Sequence, residues 1–320
     1  NNMVVLYRSH FHALELQLEL TRRNIPFSIT SGMRFFEQAH IKDVTAYLKL
    51  ITNPRDELAF KRLVLLLPGV GAAGASKLWQ AFSKQMGDGR WQIEKTPENA
   101  PSQLPSTNSY LLAAALQSCI KTVPKKAALA WAQFATTISQ LEAPDIHSSA
   151  AKMIPLVLEA GYDDYLKENF ANYRSRIDDL KQLAIFAQQF ATVEEFLTQM
   201  ALLTNVEAED EKQPANRDDE KIKLSTIHQA KGLEFDVVFS IMLCDGLFPS
   251  ARSMESDEGL EEERRLFYVT ITRAKNELYL CYPLMRAGYG GDGITMQQPS
   301  RFLEEIPKDY LDEWNLRTYG

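Results

Sequence analysis

Hydrophobic and polar positions along the chain change their period twice. Met3–Leu6 is an apolar run closed by Tyr7-Arg8-Ser9-His10, the pattern of a buried strand with a polar C-terminal end. Leu14, Leu16, Leu18 and Leu20 recur every second residue, but they lie among Glu and Gln, so the stretch reads as helix. Asn24-Ile25-Pro26 marks a turn and Phe27–Ile29 a second short strand. The period then becomes helical. Ile41, Val44, Tyr47, Leu48 and Ile51 share one helix face, Pro54 ends that helix, and another runs from near Glu57 to before Pro68. To about Leu203 the pattern stays helical, broken around Thr96–Asn108, without strand alternation or internal repeat. Val206–Glu220 is acidic, lacks aromatics and contains Pro214, which predicts a solvated linker. Strand patterns resume at Ile222–Ile227, Val237–Leu243 and Leu278–Tyr282, with a helix over Gly259–Ala274 and a flexible loop at Gly288–Gly293.

The predicted architecture is α/β: a parallel-sheet domain interrupted by a large inserted all-α domain. The expected parts are 1–31 and 221–320 for the α/β domain, 32–205 for the helical insertion, and 206–220 for the linker. A chain that opens on a core strand, without methionine, suggests a piece of something longer.

Composition narrows the class. With 320 residues, 45% hydrophobic and 24% charged, the chain matches ordinary soluble proteins of two domains. No apolar run approaches the roughly 18–20 residues of a membrane span, and no signal pattern opens the chain. Cys119, Cys244 and Cys281 are far apart, which predicts reduced thiols in a cytoplasmic protein and no metal site. The net charge of −7 argues mildly against nucleic acid, but seven acids crowd into Glu207–Glu220, and backbone affinity depends on local patches.

Three stretches carry candidate chemistry. Leu224–Glu234 places Thr226 and His228 at a strand end, a turn at Lys231-Gly232, and a carboxylate at Glu234. Glu261–Ala274 places Arg264 and Arg265 side by side on a helix. Fixed guanidinium charge beside a glycine turn suits phosphate chemistry. Adjacent arginines after three glutamates are, without context, more often a solvated ion-paired face, and His228 alone is more often structural. The two arginines are about 100° apart on a helix, and periodicity does not choose between them. Third, Pro68-Gly69-Val70-Gly71 before a helix from about Ala75 to Met86 resembles a helix-hairpin-helix element, whose backbone N–H groups grip duplex phosphates. A plain tight turn needing positive φ is the bland alternative. Gly69–Lys77 imitates a phosphate loop, but Ala75-Ser76 stands where Lys-Ser/Thr is required.

The ordered pair Leu-Ser-Thr-Ile-His-Gln-Ala-Lys-Gly-Leu-Glu and Glu-Glu-Glu-Arg-Arg-Leu-Phe-Tyr-Val-Thr-Ile-Thr-Arg-Ala resembles motifs V and VI of the UvrD/Rep/PcrA family of superfamily 1 DNA helicases. Leu6-Tyr7-Arg8-Ser9, Gly246-Leu247-Phe248-Pro249 and Pro299-Ser300-Arg301-Phe302-Leu303 also resemble family segments, and Ser31–Asn53 resembles the entry to the inserted helical domain called 2B. About Gln85–Thr204 matches only in being helical.

The resemblance implies a RecA-like domain 2A carrying the 2B insertion. It implies Arg265 as the arginine finger, directly before Leu-x-Tyr-Val, with Gly232 and Glu234 at the nucleotide and Arg273 as a supporting residue. Arg8, His10, Thr226 and His228 are expected at single-stranded DNA, with His10 standing where the family has asparagine. Gly69 and Gly71 are expected at duplex junction DNA. ATP and Mg2+ belong to the intact enzyme, with the metal ligands outside this chain. The expected partner is an N-terminal half bearing domains 1A and 1B, and the activity is 3′-to-5′ unwinding, a motor that DNA repair, replication restart and plasmid replication share. The chain by itself is expected not to hydrolyse ATP. Two alternatives stay open: the helicase part of a RecB/AddA-like nuclease-helicase, and a non-enzymatic DNA-junction-binding module.

Overall fold

The structure is a computed structural model, and it describes residues 2–30, 35–86, 111–212, 221–289 and 293–315. The expected break at Thr96–Asn108 lies outside the described residues, as do residues 31–34 of the expected 2B entry. The chain folds as two compact units. One comprises Asn1–Phe35 with Leu203–Gly320, and the other Phe36–Leu202.

The first unit is built on a five-stranded parallel sheet of β1 (Met3–Tyr7), β2 (Phe27–Thr30), β3 (Ile222–Thr226), β4 (Phe235–Ser240) and β5 (Ala274–Leu280). The order across the sheet is β2-β3-β1-β4-β5. β3, which follows the insertion, slots between the two strands that precede it. Val4 pairs with Lys223 on one side of β1 and with Val238 on the other, while Ser28 pairs with Lys223. The two sequence pieces therefore make one sheet, as the α/β expectation requires.

Both faces of that sheet are covered. On one, Val5, Tyr7, Ala13, Leu20, Phe27 and Leu224 form a core with α1 (Leu14–Arg22). On the other, Val4, Leu6, Val238, Phe248, Leu266, Phe267 and Phe302 enclose α11 (Asp257–Ile271). Ser256 caps α11, accepting from the Gly259 amide at 3.1 Å. The segments around Phe248 and Phe302 meet here: Phe267 stacks on Phe302 at 5.4 Å, and Phe248 meets both rings edge-on at 6.1 Å. Asp245 fastens them further, accepting from the Arg301 amide and guanidinium at 2.9–3.1 Å.

Element limits differ from the pattern in instructive ways. The apolar run Val237–Leu243 overshoots β4, because Met242 turns to φ 60 and leaves the ladder. β5 starts at Ala274, earlier than expected. Of the stretch expected as a linker, residues 206–212 continue instead as helix, since α10 spans Val193–Lys212, and residues 213–220 lie outside the described residues. Glu and Ala are good helix formers, and no proline interrupts before Pro214. Around the glycine-rich loop, β6 (Met285–Ala287) and β7 (Ile294–Met296) pair as an antiparallel hairpin that the pattern did not show.

The second unit is all-helical: α2 (Ala39–Thr52), α3 (Glu57–Val64), α4 (Ala72–Met86), α5 (Leu111–Ser118), α6 (Ala128–Leu141), α7 (Ala150–Val157), α8 (Asp163–Asn169) and α9 (Tyr173–Ala187) are its main elements. Its core gathers Phe60, Phe82, Trp131 and Phe134, and the Trp131 indole donates to the Leu116 carbonyl at 2.9 Å. A buried polar node ties the helices: Asp43 accepts from Arg62 at 2.7 Å and from the Tyr162 hydroxyl at 2.6 Å. Among the described residues no helix is long and apolar enough to cross a membrane.

The aromatic trio is the anchor of α11. Phe302→Ala is expected to destabilise the first unit by about 3–5 kcal/mol and to raise amide hydrogen exchange along α11. Unchanged exchange there would show that other contacts fix the helix.

Candidate nucleotide and nucleic-acid site

The C-terminal ends of β1 and β3 lie side by side, with Tyr7 paired to Thr226. Ligands of open α/β sheets collect at such edges. From this edge the chain crosses to β4 through residues 227–234 alone. Ile227 and Ala230 are fully buried in the α11-side core, while His228, Gln229, Lys231 and Gly232 stay exposed. Thr226 begins the turn, its carbonyl accepting from the amides of Gln229 at 3.1 Å and Ala230 at 3.2 Å. Its residue surface is only 7% exposed, so any contact it offers is a narrow one. Gly232 has φ +87, and a Cβ there would meet nothing within 4 Å, so backbone conformation, not crowding, demands glycine. Glu234 follows, exposed at the start of β4, 3.5 Å from the Lys275 ammonium.

The two adjacent arginines of α11 differ sharply. Arg264 pairs with Glu261 and Glu305, and its guanidinium lies 5.4 Å from the centre of the Phe302 ring. Arg265 is 77% exposed and makes a single pair, with Glu262 one turn away at 3.2 Å. Packing thus distinguishes two arginines that periodicity does not. Arg273 takes a third role. Its guanidinium donates to the carbonyls of Val269 and Leu233 and to the Thr272 hydroxyl at 2.8–3.0 Å, clamping the end of α11 to the turn before Glu234. Glu234 and Arg265 are not in contact with one another; each is paired with a neighbour of its own.

Arg8, expected at single-stranded DNA, is ion-paired in the fold. Its Nε and Nη2 donate to both oxygens of Glu263 at 2.9–3.1 Å, and Glu263 is only 2% exposed. The triple glutamate run reads as a solvated face, and only the fold reveals that its third member is buried against a residue 255 positions away. His10 sits edge-on to Tyr7 at 6.3 Å in the 3-10 turn after β1. His228 is exposed, yet its pKa is lowered from the ordinary value. Partial desolvation is the main cause, followed by the charge of Arg8, with Glu263 and Glu262 opposing. His12 is buried, and neither ring nitrogen has a hydrogen-bond partner among the described residues. Desolvation, then Arg286, then Arg8 push its pKa down to about 3.

In the second unit, Gly69 has φ +77 and lies against Lys126, whose Cβ is 3.6 Å from where a Gly69 Cβ would stand. Gly71 has open space there, and its carbonyl accepts from the Ala75 amide at 2.9 Å as α4 begins. The helix starts at Ala72, earlier than expected, so Gly71 directly precedes it.

These features have counterparts in known proteins. A profile of the UvrD-like helicase C-terminal domain matches residues 1–284. The chain belongs to that family. ATP-dependent DNA helicase PcrA of Bacillus subtilis (strain 168) is 31% identical over 98% of the chain. DNA helicase II of Haemophilus influenzae is 32% identical over 99%, and DNA helicase II of Escherichia coli (strain K12) 32% over 98%. The chain spans 41% of the length of each of these relatives. In this UvrD-like chain the matched region contains both the crossover and α11.

Two outcomes check this geometry. Arg264→Ala is expected to cost the first unit about 1 kcal/mol, and Arg265→Ala no more than about 0.5 kcal/mol, both read by denaturant unfolding. Equal losses would contradict the assignment of Arg264 as the packed partner. For pH, the unfolded chain binds a proton at His12 near 6.5 whereas the folded chain does so near 3. The unfolded state holds more protons between these values, so stability falls as pH drops through that window. Between pH 7 and pH 5 the loss from His12 is about 2 kcal/mol. His12→Phe should flatten that slope, and an unchanged slope would place the titration elsewhere.

Proposed function

We propose that this chain is the C-terminal part of an ATP-dependent 3′-to-5′ DNA helicase, in which Arg265 is the arginine finger. The observation that carries the reading is the contrast on α11. Of two neighbouring arginines in a UvrD-like chain, one is packed and doubly paired, and Arg265 is exposed with only an intrahelical partner. In this reading 1–31 and 221–320 are domain 2A and 32–205 is domain 2B. The partner is the N-terminal half with domains 1A and 1B. The names and greater length of the relatives support this.

The residues present fit one side of a nucleotide. Gly232 gives an open turn of positive φ, Glu234 an exposed carboxylate able to accept from a ribose hydroxyl, and Arg265 a guanidinium that an outside phosphate can recruit. ATP with Mg2+ supplies the phosphoryl chemistry, and the metal ligands lie outside this chain. Arg265 serves to neutralise charge on the transferred group. Arg8, His10, Thr226 and His228 form the single-stranded DNA edge. Gly69 and Gly71 contact duplex junction DNA through backbone N–H groups, with Lys126 alongside. A cytoplasmic location and a role in DNA repair or replication restart are consistent with the same reading.

The test is Mg2+-dependent ATP hydrolysis with and without single-stranded DNA, on this chain and on the full-length protein. The chain is expected to be inactive and the full-length protein DNA-stimulated. Arg265→Ala in the latter should lower turnover by at least roughly 10²-fold with ATP binding retained. Hydrolysis by the chain alone, or an unaffected variant, would overturn the reading.

A further inference from the structure

Glu263 is a buried carboxylate whose surroundings do more than neutralise it. Besides Arg8, it accepts from the Ser253 hydroxyl at 3.0 Å. Ser253 is itself set by Ser250, whose hydroxyl lies 2.7 Å from that of Ser253 and accepts from the Ser253 amide at 3.2 Å. All these residues belong to one compact unit. A carboxylate enclosed to this degree is tolerated only when paired and hydrogen-bonded, and as a stabiliser alone it is no better than apolar packing. What the arrangement adds is orientation. A planar guanidinium held along the edge that carries Nε and Nη2 has little freedom to rotate. Arg8 Nη1 makes no hydrogen bond among the described residues, and the Arg8 side chain keeps 26% of its surface.

We propose that Glu263 is a positioning residue. It sets the Arg8 guanidinium with Nη1 presented to a single-stranded DNA phosphate, and it transmits occupancy of that contact along α11 to Arg265. The inference rests on the reading of Arg8 and Arg265 given above. A phosphate and the Glu263 carboxylate compete for one cation, so DNA binding redistributes the hydrogen bonds that hold Glu263. Glu263 and Arg265 are two residues apart on one helix, about 3 Å along its axis, and the helix is locked in a close-packed core that shifts as a body. Such coupling is reciprocal: DNA bound at Arg8 biases the setting of Arg265, and nucleotide bound at Arg265 biases affinity at Arg8.

The experiment uses the full-length protein, ATP with Mg2+, and a single-stranded oligothymidylate. The readouts are the ratio of DNA-saturated to DNA-free turnover, the KM for DNA, and the salt dependence of DNA binding. Glu263→Gln keeps the shape and loses the charge-assisted pair. The ratio is expected to fall about tenfold, through kcat at saturating DNA, with the salt slope unchanged because no phosphate contact is lost. Arg8→Lys keeps the positive charge but not the fork, and should lower the ratio similarly while keeping the salt slope. The double variant should lose no more than either single variant, as expected for residues acting as a unit. If Glu263→Gln unfolds, Ser253→Ala, which removes one hydrogen bond from the Glu263 carboxylate, decides by the same ratio. A wild-type ratio in these variants, or equal losses with and without DNA, overturns the coupling. A wild-type protein whose hydrolysis DNA does not stimulate fails the functional reading itself, and that outcome is seen before any variant is made.

Discussion

The tightest constraint in the first unit is the short crossover between two parallel strands. β3 ends at Thr226 and β4 begins at Phe235, with β1 between them. The chain must travel the height of the sheet, roughly 20 Å, and cross two strand spacings of roughly 4.8 Å each. Nine residue steps reach at most about 30 Å. Parallel neighbours usually need a dozen or more residues and a helix for this return. Here there is room only for one tight turn and a nearly taut strip. Its two inward residues, Ile227 and Ala230, are fully buried, and Gly232 takes the backbone through positive φ.

This strip spans both edges of the sheet. Thr226 and His228 lie at the C-terminal edge of β1 and β3, and Glu234 at the opposite edge. α11 packs against it and is fastened at two points: Glu263, mid-helix, holds Arg8 near the first edge, and Arg273, just past its C-terminal end, holds the Leu233 carbonyl near the second. The strip is thus tied to the helix at two separate points, and what restrains it is its short length together with these hydrogen bonds.

Much of this was legible in the chain. The strands flanking the insertion and the helix bearing Arg265 follow from local apolar runs, and the parallel α/β class follows from their alternation with helix. What was hidden depends on distant partners. Nothing local to Glu261-Glu262-Glu263 says that only the third is buried, because the cause is Arg8, 255 positions earlier. The difference in packing between Arg264 and Arg265 rests on Phe302 and Glu305, which reach α11 from a later segment. The β6–β7 hairpin was masked by glycines that read as loop, and its short strands face outward with Met285, Ile294 and Met296 exposed, so no burial pattern marks them. The helix that continues to Lys212 carries a composition shared by solvated helices and linkers, which pattern alone does not separate.

The pairing of Arg8 also bears on how an acidic protein of net charge −7 would hold DNA. An unpaired surface arginine attracts phosphate from any direction, and that attraction fades with salt. Arg8 has most of its charge balanced by Glu263, so its long-range pull is weak. What remains is a short-range, directional donor at Nη1. On the proposed reading, a strand edge built this way would discriminate by geometry, favouring a backbone that already lies in register with the sheet. It would also release readily once register is lost, because no large net charge would hold the strand in place. On the reading proposed above, in which the intact protein moves along a polyanion, a compensated guanidinium is better suited than a bare one, and the burial of Glu263 keeps its partner carboxylate beside Arg8.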